Sequence, residues 1–385
     1  MTTEVTAPPE SADAEELAAL RQAVREVSDA VGGTAAVRRL MGTTGDGAPG
    51  PTHDERAWNL LAGEIGLSGL GLPESAGGLG GLVELVTVAE ELGRTLLPVP
   101  FLSSTVLTGQ VLARAARLSD SSAADAALAT VAAGDVVAPV LLDPDGAWDP
   151  HRPPVTAIST DSGWLVGGVA PYVLDGPAAT ALLVAAATGD GTALLLVDSR
   201  AEGVSLRPTP TLDLSRSMAT VVLESARADL LVAGGAASAA VLPALDTAAV
   251  VLAAEQLGGA QACLDMTVDY IKQRRQFGRP IGSFQAVKHL CADLLGLVEG
   301  MRSAVVRAVL VADAPDQLAE AACVAQTFCS EAFRTVSAET VQLHGGIGFS
   351  WEHDAHLYFR RARADAVLLG GPNQHRERLA DLLGW

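Results

Sequence analysis

The apolar positions of this chain change period twice. Leu17, Leu20, Val24, Val27 and Val31 recur at helical spacing behind Ser11, a capping hydroxyl, with Glu15 and Glu16 in the first turn. A stretch rich in Gly, Pro, Thr and Asp at 42–55 reads as a loop. Helical pattern resumes near Trp58, runs through 83–97 to a stop at Pro98, and returns from about Ser104 to Ala133. Near Gly134 the character changes. Short apolar runs such as VVAPVLL, ATALLVAA, TALLLVDS and ATVVLES follow, punctuated by turns such as Asp143-Pro144-Asp145-Gly146, and these read as strands. Helical spacing comes back at about Ala236 and holds, with short breaks, to the end.

This pattern predicts an α+β chain in three parts: a helical domain over 1–135 with residues 1–10 a disordered tail, a β domain over 136–232, and a helical region over 233–385. A length of 385 residues is too great for one hydrophobic core, in agreement with several substructures. With 49% hydrophobic and 18% charged residues the chain is expected to pack rather than stay disordered. The net charge of −19 argues against nucleic acid or an anionic membrane as a general partner, so a local basic patch must serve a local anion. No apolar run free of charges and turn signals is long enough to predict a membrane span. The first residues lack the basic and apolar regions of a secretory signal. Cys263, Cys291, Cys323 and Cys329 form no C-x-x-C pair and are expected as free thiols in a reducing, cytoplasmic setting.

One basic cluster stands out against that acidic background. Lys272, Arg274, Arg275 and Arg279 surround Phe277, and a helical pattern breaks at Gly278 and Pro280 before another starts behind Ser283. Guanidinium groups beside a helix end can hold phosphate through paired donors and fixed charge; a solvated helix end closing a hairpin has the same composition. Arg274-x-x-Phe277-Gly278, with Pro280-Ile281 and Phe284-Gln285, resembles the flavin-binding signature of the acyl-CoA dehydrogenase family. Gln342-Leu343-His344-Gly345-Gly346-Ile347-Gly348 resembles that family's second FAD motif, in the right order and at about the right separation. Weaker similarity extends from about Trp58 to the C-terminus, including Glu90-Glu91-Leu92-Gly93-Arg94.

The resemblance implies an N-terminal helical domain, a β-barrel-like middle domain and a C-terminal four-helix bundle. It implies FAD as cofactor: Arg274 on the pyrophosphate, Phe277 packed on the cofactor, Gln285 toward the adenosine, Gln342, Gly345 and Gly346 from a neighbouring subunit, and Asn373 near the adenine half. Tyr172 and Leu174 would face the flavin, Leu174 through its backbone because it has no hydroxyl. An acyl-CoA or other acyl thioester as substrate, an electron-transfer flavoprotein as acceptor and at least a dimer are implied as well. The dimer could extend to a homotetramer, or to a heterotetramer with a paralogous subunit.

The reaction removes two hydrogens across Cα–Cβ of a thioester, so it needs a base for the α-proton. Many family members place a Glu before a Gly where this chain has Leu369-Gly370; branched-chain relatives place it near Ala248. Neither position can take a proton here, and a missing base costs about 10²–10⁴-fold in rate. Glu255, about two helical turns beyond Ala248 in an apolar helix, is the candidate replacement, although an ion pair or hydrogen bond that stabilises subunit packing is the favoured reading of it. Asp246 reads as a base candidate or as an acid at a helix N-terminus, and Asp365 as a candidate or as a partner of arginines such as Arg361. Trp351-Glu352-His353-Asp354-x-His356 puts two histidines three apart on a predicted helix, but relatives carry similar patterns without metal, and none is expected. Several readings follow: a dehydrogenase with an unusual base, a subunit of a heteromeric dehydrogenase whose partner holds the base, an enzyme for carrier-tethered acyl groups or a flavin monooxygenase on the same fold, and a non-catalytic FAD-binding partner.

Overall fold

Two strands of the middle region are apolar on both faces because both faces are covered. In β4 (Ala181–Thr188), Leu182, Val184 and Ala186 point into one core while Leu183 and Ala185 point into another. The computed structural model describes residues 11–42, 52–119, 122–161 and 163–385; the expected N-terminal tail and most of the loop at 42–55 lie outside them. β2 (Val155–Thr160), β3 (Gly163–Leu174), β5 (Gly191–Asp198) and β7 (Met218–Val232) complete a ring with β4, in the order β4-β2-β3-β7-β5 and back to β4. β1 (Val137–Val140) runs parallel beside β4, and β6 (Val204–Pro208) pairs with β7. The ring is a small barrel filled by Val, Leu and Ala side chains, among them Val166, Val184, Leu195 and Val221.

Before the barrel come α1 (Ser11–Ala30), α2 (Thr34–Gly42), α3 (Glu55–Asn59), α4 (Leu82–Thr95), α5 (Gly109–Ser119) and α6 (Ser122–Ala132). The helix expected from Ser104 to Ala133 is three pieces, because α5 is preceded by a wide π-helical stretch, Phe101–Thr108, whose residues are all buried. After the barrel come α7 (Ala237–Gln273), α8 (Gln285–Leu310), α9 (Pro315–His344), α10 (Ala355–Asp365) and α11 (Pro372–Leu382).

α7 is the axis of the molecule, packed against α4 on one side and α9 on another. Its crossing with α4 is closer than side chains allow. A Cβ at Gly93 would stand 2.0 Å from the carbonyl oxygen of Glu255, and one at Gly258 would stand 1.9 Å from that of Glu90. These two reciprocal glycines set Glu255 against the end of α4. By length and composition alone α7 could cross a membrane, but it is interrupted by Pro243, Asp246 and Glu255, in line with the expectation of no membrane span. Most of its apolar stretch is buried between α4 and α9, which marks it as a core helix.

Candidate functional site

Two of the sequence motifs meet at one end of the helical bundle. α7 stops at Gln273, and a minimal hairpin follows in which β8 (Arg275–Gln276) pairs with β9 (Arg279–Pro280) around Phe277 and Gly278. Phe277 has φ 52° and Gly278 φ 78°, the left-handed pair that a tight two-residue turn requires. Gly accepts that conformation freely; Phe does so at a cost of about 1–2 kcal/mol. The same Phe277 is 91% exposed. Arg279 lies 4.0 Å over the Phe284 ring, and Phe277 meets that ring edge-on at 6.1 Å. Among the described residues, the side chains of Arg274 and Arg275 have neither an ion pair nor a hydrogen bond. Gln285 is exposed at the start of α8.

The second motif sits beside the first. α9 ends at His344, the stack of half-buried Tyr270 on buried His344 (4.4 Å) ties the ends of α7 and α9 together, and the Tyr270 hydroxyl donates to the His344 carbonyl at 3.3 Å. Gln342, Gly345 and Gly346 are exposed, and the space where a Cβ of either glycine would stand is open. Asn373 is exposed at the start of α11, its side-chain oxygen accepting from Arg376 at 3.1 Å. On the barrel, Tyr172 has φ 58° and is 57% exposed at a break in the β3–β7 register, whereas the Leu174 side chain is buried in the core. His353 precedes α10 rather than lying on it and packs on His344 at 4.4 Å; only His356 lies on the helix.

The base candidates lie elsewhere, where the three regions of the chain meet. Glu255 of α7 accepts through one oxygen from Arg216 at 2.7 Å and from Arg361 of α10. Arg216 also holds Asp365 at 3.1 Å, and Arg361 holds Asp213 at 2.7 Å while donating to the Ser215 hydroxyl at 2.7 Å. Every member of this cluster is at most 11% exposed at its side chain. Asp365 therefore pairs with Arg216 instead of its helix neighbour Arg361; burial pushes its carboxyl up to about 7, with the two arginines opposing the rise. Burial alone would lower Arg216, but Glu255, Asp365 and Asp213 outweigh it and raise the guanidinium further. Asp175, adjacent to Leu174, accepts from Ser103 at 2.6 Å and is raised to about 6 by burial. Asp246 is not at a helix N-terminus. It lies inside α7, buried, and accepts from Arg378 of α11 at 2.5 Å. Ala248 and Leu369 are both core residues, Leu369 with φ 59°.

Residues 14–134 match the acyl-CoA dehydrogenase N-terminal domain and residues 238–383 the acyl-CoA dehydrogenase C-terminal domain. The chain belongs to the acyl-CoA dehydrogenase family. It is 38% identical to acyl-CoA dehydrogenase IpdE2 of Mycobacterium tuberculosis, over 95% of this chain and 96% of that one. Among solved structures it is similar to a variant of the Tcur3481-Tcur3483 steroid ACAD, with 34% identity, TM-score 0.82, and 96% and 98% of the two chains covered. It is also similar to the ChsE4-ChsE5 complex from Mycobacterium tuberculosis, with 30% identity, TM-score 0.83, and 96% and 97% covered. The fold is that of the family: N-terminal helical domain, middle β-barrel and C-terminal helical domain. The activity class is an acyl-CoA dehydrogenase oxidoreductase acting on a CH–CH group, in a family whose members typically bind FAD.

Two features of the site had no local signal in the sequence. Arg216 lies in the turn before β7, and nothing around it announces a buried partner for α7 and α10. The Ser103–Asp175 pair joins a π-helical turn to the end of a strand, 72 residues apart.

Proposed function

We propose that this chain is the subunit of a heteromeric acyl-CoA dehydrogenase that helps to hold FAD and leaves proton abstraction to a paralogous partner. The observation that carries this reading is the contrast at the base positions. Ala248 and Leu369 are apolar and buried, and Glu255, the candidate replacement, is already engaged by two guanidiniums. We assign Glu255 to holding the junction of the three regions, and the α-proton of the thioester to a carboxylate of the partner. The heteromeric reading is further supported by relatives whose structures are of two-component complexes.

The residues at the bundle end fit a flavin dinucleotide. Arg274 is a cation without a partner among the described residues in a chain of charge −19, and guanidinium suits a pyrophosphate. Phe277, exposed in a strained turn, offers an aromatic face, and Gly345 and Gly346 leave room for a phosphate to approach backbone. Gln285 and Gln342 supply exposed amides, Asn373 one farther off, at the start of α11 beside the middle of α9, Tyr172 an exposed ring on the barrel, and Leu174 only backbone groups. When bound, FAD supplies the hydride acceptor. The chain's part is to orient the cofactor and keep water from it. The substrate class is an acyl-CoA thioester, for which the relatives described as steroid enzymes favour a bulky, ring-bearing acyl group. Electrons would pass to an electron-transfer flavoprotein, in the cytoplasm.

The test is co-expression with a paralogous chain that carries Glu at the position of Leu369 or Ala248. The expected result is a yellow complex that bleaches with acyl-CoA, while this chain alone does not. Bleaching of the isolated chain, abolished by Glu255→Gln, would reverse the assignment and make Glu255 the base.

A further inference from the structure

Three imidazoles gather where α9 turns into α10, and the function proposed above gives none of them a part. His344 closes α9 with its Nδ1 2.7 Å from the Thr340 carbonyl; because a carbonyl only accepts, Nδ1 carries the proton. Its Nε2 is then a bare acceptor, buried and without a partner among the described residues. His353 packs on that ring at 4.4 Å, and its Nδ1 accepts the backbone N–H of Ala355, the first residue of α10, at 3.2 Å. His356 has a second buried Nε2 without a partner among the described residues, and Trp351 meets its ring edge-on at 5.0 Å. The titratable and charged groups facing these rings are Tyr270 of α7, Arg38 of α2, Arg360 of α10 and Asp354. Asp354 is already engaged: Arg38 donates to one of its oxygens at 2.5 Å and the Thr34 hydroxyl to the other at 2.6 Å.

Each ring is held in a setting that favours the neutral form. A second proton on His344 or His356 would sit on a buried nitrogen with no acceptor. One on His353 would cost Ala355 its acceptor and set a cation at the N-terminal end of α10, where the helix dipole repels it. Burial accordingly lowers all three below the ordinary imidazole value of 6.5. The Thr340 bond opposes the fall at His344 and Asp354 opposes it at His353, while Arg38 and Arg360 reinforce it at His356. The stack also joins the two sequence motifs. His344 directly precedes Gly345, whose φ of 63° turns the chain out of α9, and it stacks on Tyr270, four residues before Arg274.

We propose that the His344–His353 stack is a latch on the flavin-holding turn: neutral, it fixes Gly345 and Gly346 against the end of α7, and a proton on either ring opens it and loosens the flavin. The inference rests on the flavin reading above and adds to it two positioning residues and a pH dependence. The sign follows from the proton count. The latched form binds fewer protons than an open form with solvated imidazoles. The latch is therefore favoured above the ordinary imidazole value of 6.5 and gives way as pH falls below it.

The test uses the full chain and its co-expressed complex. In the flavin-free chain, deuterium exchange corrected for intrinsic rates should show the 345–357 backbone losing protection about tenfold between about pH 7 and about pH 5, while β4 stays protected. Flavin affinity of the complex, by absorbance titration, should fall about tenfold over the same window. The double variant His344→Asn with His353→Asn leaves a donor for the Thr340 carbonyl and an acceptor for the Ala355 N–H but cannot titrate, so both responses should vanish. Constant exchange and affinity in the wild type, or an equal response in the double variant, would overturn the latch. So would opening with no change in affinity, or an affinity that rises on acidification, as an imidazolium merely placed beside a phosphate would give. Acid-induced opening that the double variant abolishes, in a complex that binds no flavin at any pH, would sustain the latch and sink the flavin reading instead.

Discussion

The bundle end and the three-domain junction both concentrate arginine, and they treat it in opposite ways. At the bundle end Arg274 and Arg275 have no carboxylate partner among the described residues, beside an aromatic ring almost wholly exposed. At the junction Arg216 and Arg361 are almost wholly buried and each has two carboxylates. A free surface cation costs the fold little and keeps its full charge for a ligand. A buried, saturated one has no charge left to offer and becomes part of the framework. In a chain with 45 acids and 26 basic residues, leaving any arginine unpaired is the less expected arrangement, and it is the one that points to a binding site.

The comparison is broken most severely at the junction. Arg361→Met should remove the partner of Asp213 and half the support of Glu255, and lower stability by roughly 3–5 kcal/mol in urea unfolding, the range for breaking a buried pair. A loss under about 1 kcal/mol would show that the cluster is not load-carrying. Next comes pH. Asp175 titrates at about 6 in the fold against 3.8 outside it, so the folded state holds the extra proton and stability should fall as pH rises from about 4 to 6. Asp175→Asn keeps an acceptor for Ser103 and cannot titrate. Relative to wild type it should gain about 3 kcal/mol across that window, as read from unfolding curves at pH 4 and pH 7. Parallel pH profiles for the two proteins would contradict the buried, ionisable carboxyl.

The two regions also differ in how far the sequence disclosed them. The hairpin and the glycine motif are local: Phe277-Gly278 calls for a turn, Gly345 for a helix stop, and each lies within a few residues of its partners. The barrel was legible for a similar reason, since short apolar runs such as ALLVAAAT set between turn residues read as strands; that both faces of this one are buried is seen only in the fold. The junction is assembled from the turn at 213–216, the middle of α7 and the end of α10. Glu255 could be recognised as an acid needing a partner; that the partners were Arg216 and Arg361, 39 and 106 residues away, depends on the close α4–α7 crossing and on how the barrel docks. The reading of Asp246 as an acid at a helix N-terminus fails because α7 runs unbroken from Ala237 through Pro243, which puts Asp246 inside the helix.

At the bundle end the expected effects are on binding and leave the fold intact. Arg274→Ala should change unfolding stability by less than about 0.5 kcal/mol, as for an exposed side chain without partners. Flavin affinity of the complex, followed by absorbance titration, should fall about 10–100-fold, corresponding to about 1.5–3 kcal/mol for a hydrogen bond to a charged group. Unchanged affinity would remove Arg274 from the cofactor site.

Phe277 gives the finest test, because stability and binding should move in opposite directions. Its φ of 52° is strained for Phe and easy for Gly, so Phe277→Gly relieves the turn. Part of that gain is offset by the greater freedom of glycine in the unfolded chain. With the side chain 91% exposed there is almost no packing to lose, so the net change should be stabilising or neutral, within about 1 kcal/mol. Flavin binding should weaken severalfold, since the ring offered to the cofactor is gone. If the variant instead loses stability and keeps its flavin, the exposed ring serves the chain's own packing in the assembly, and the strain in the turn is structural. A stabilised variant with weakened flavin binding would mean that the hairpin holds Phe277 in an unfavourable conformation for the sake of a ligand.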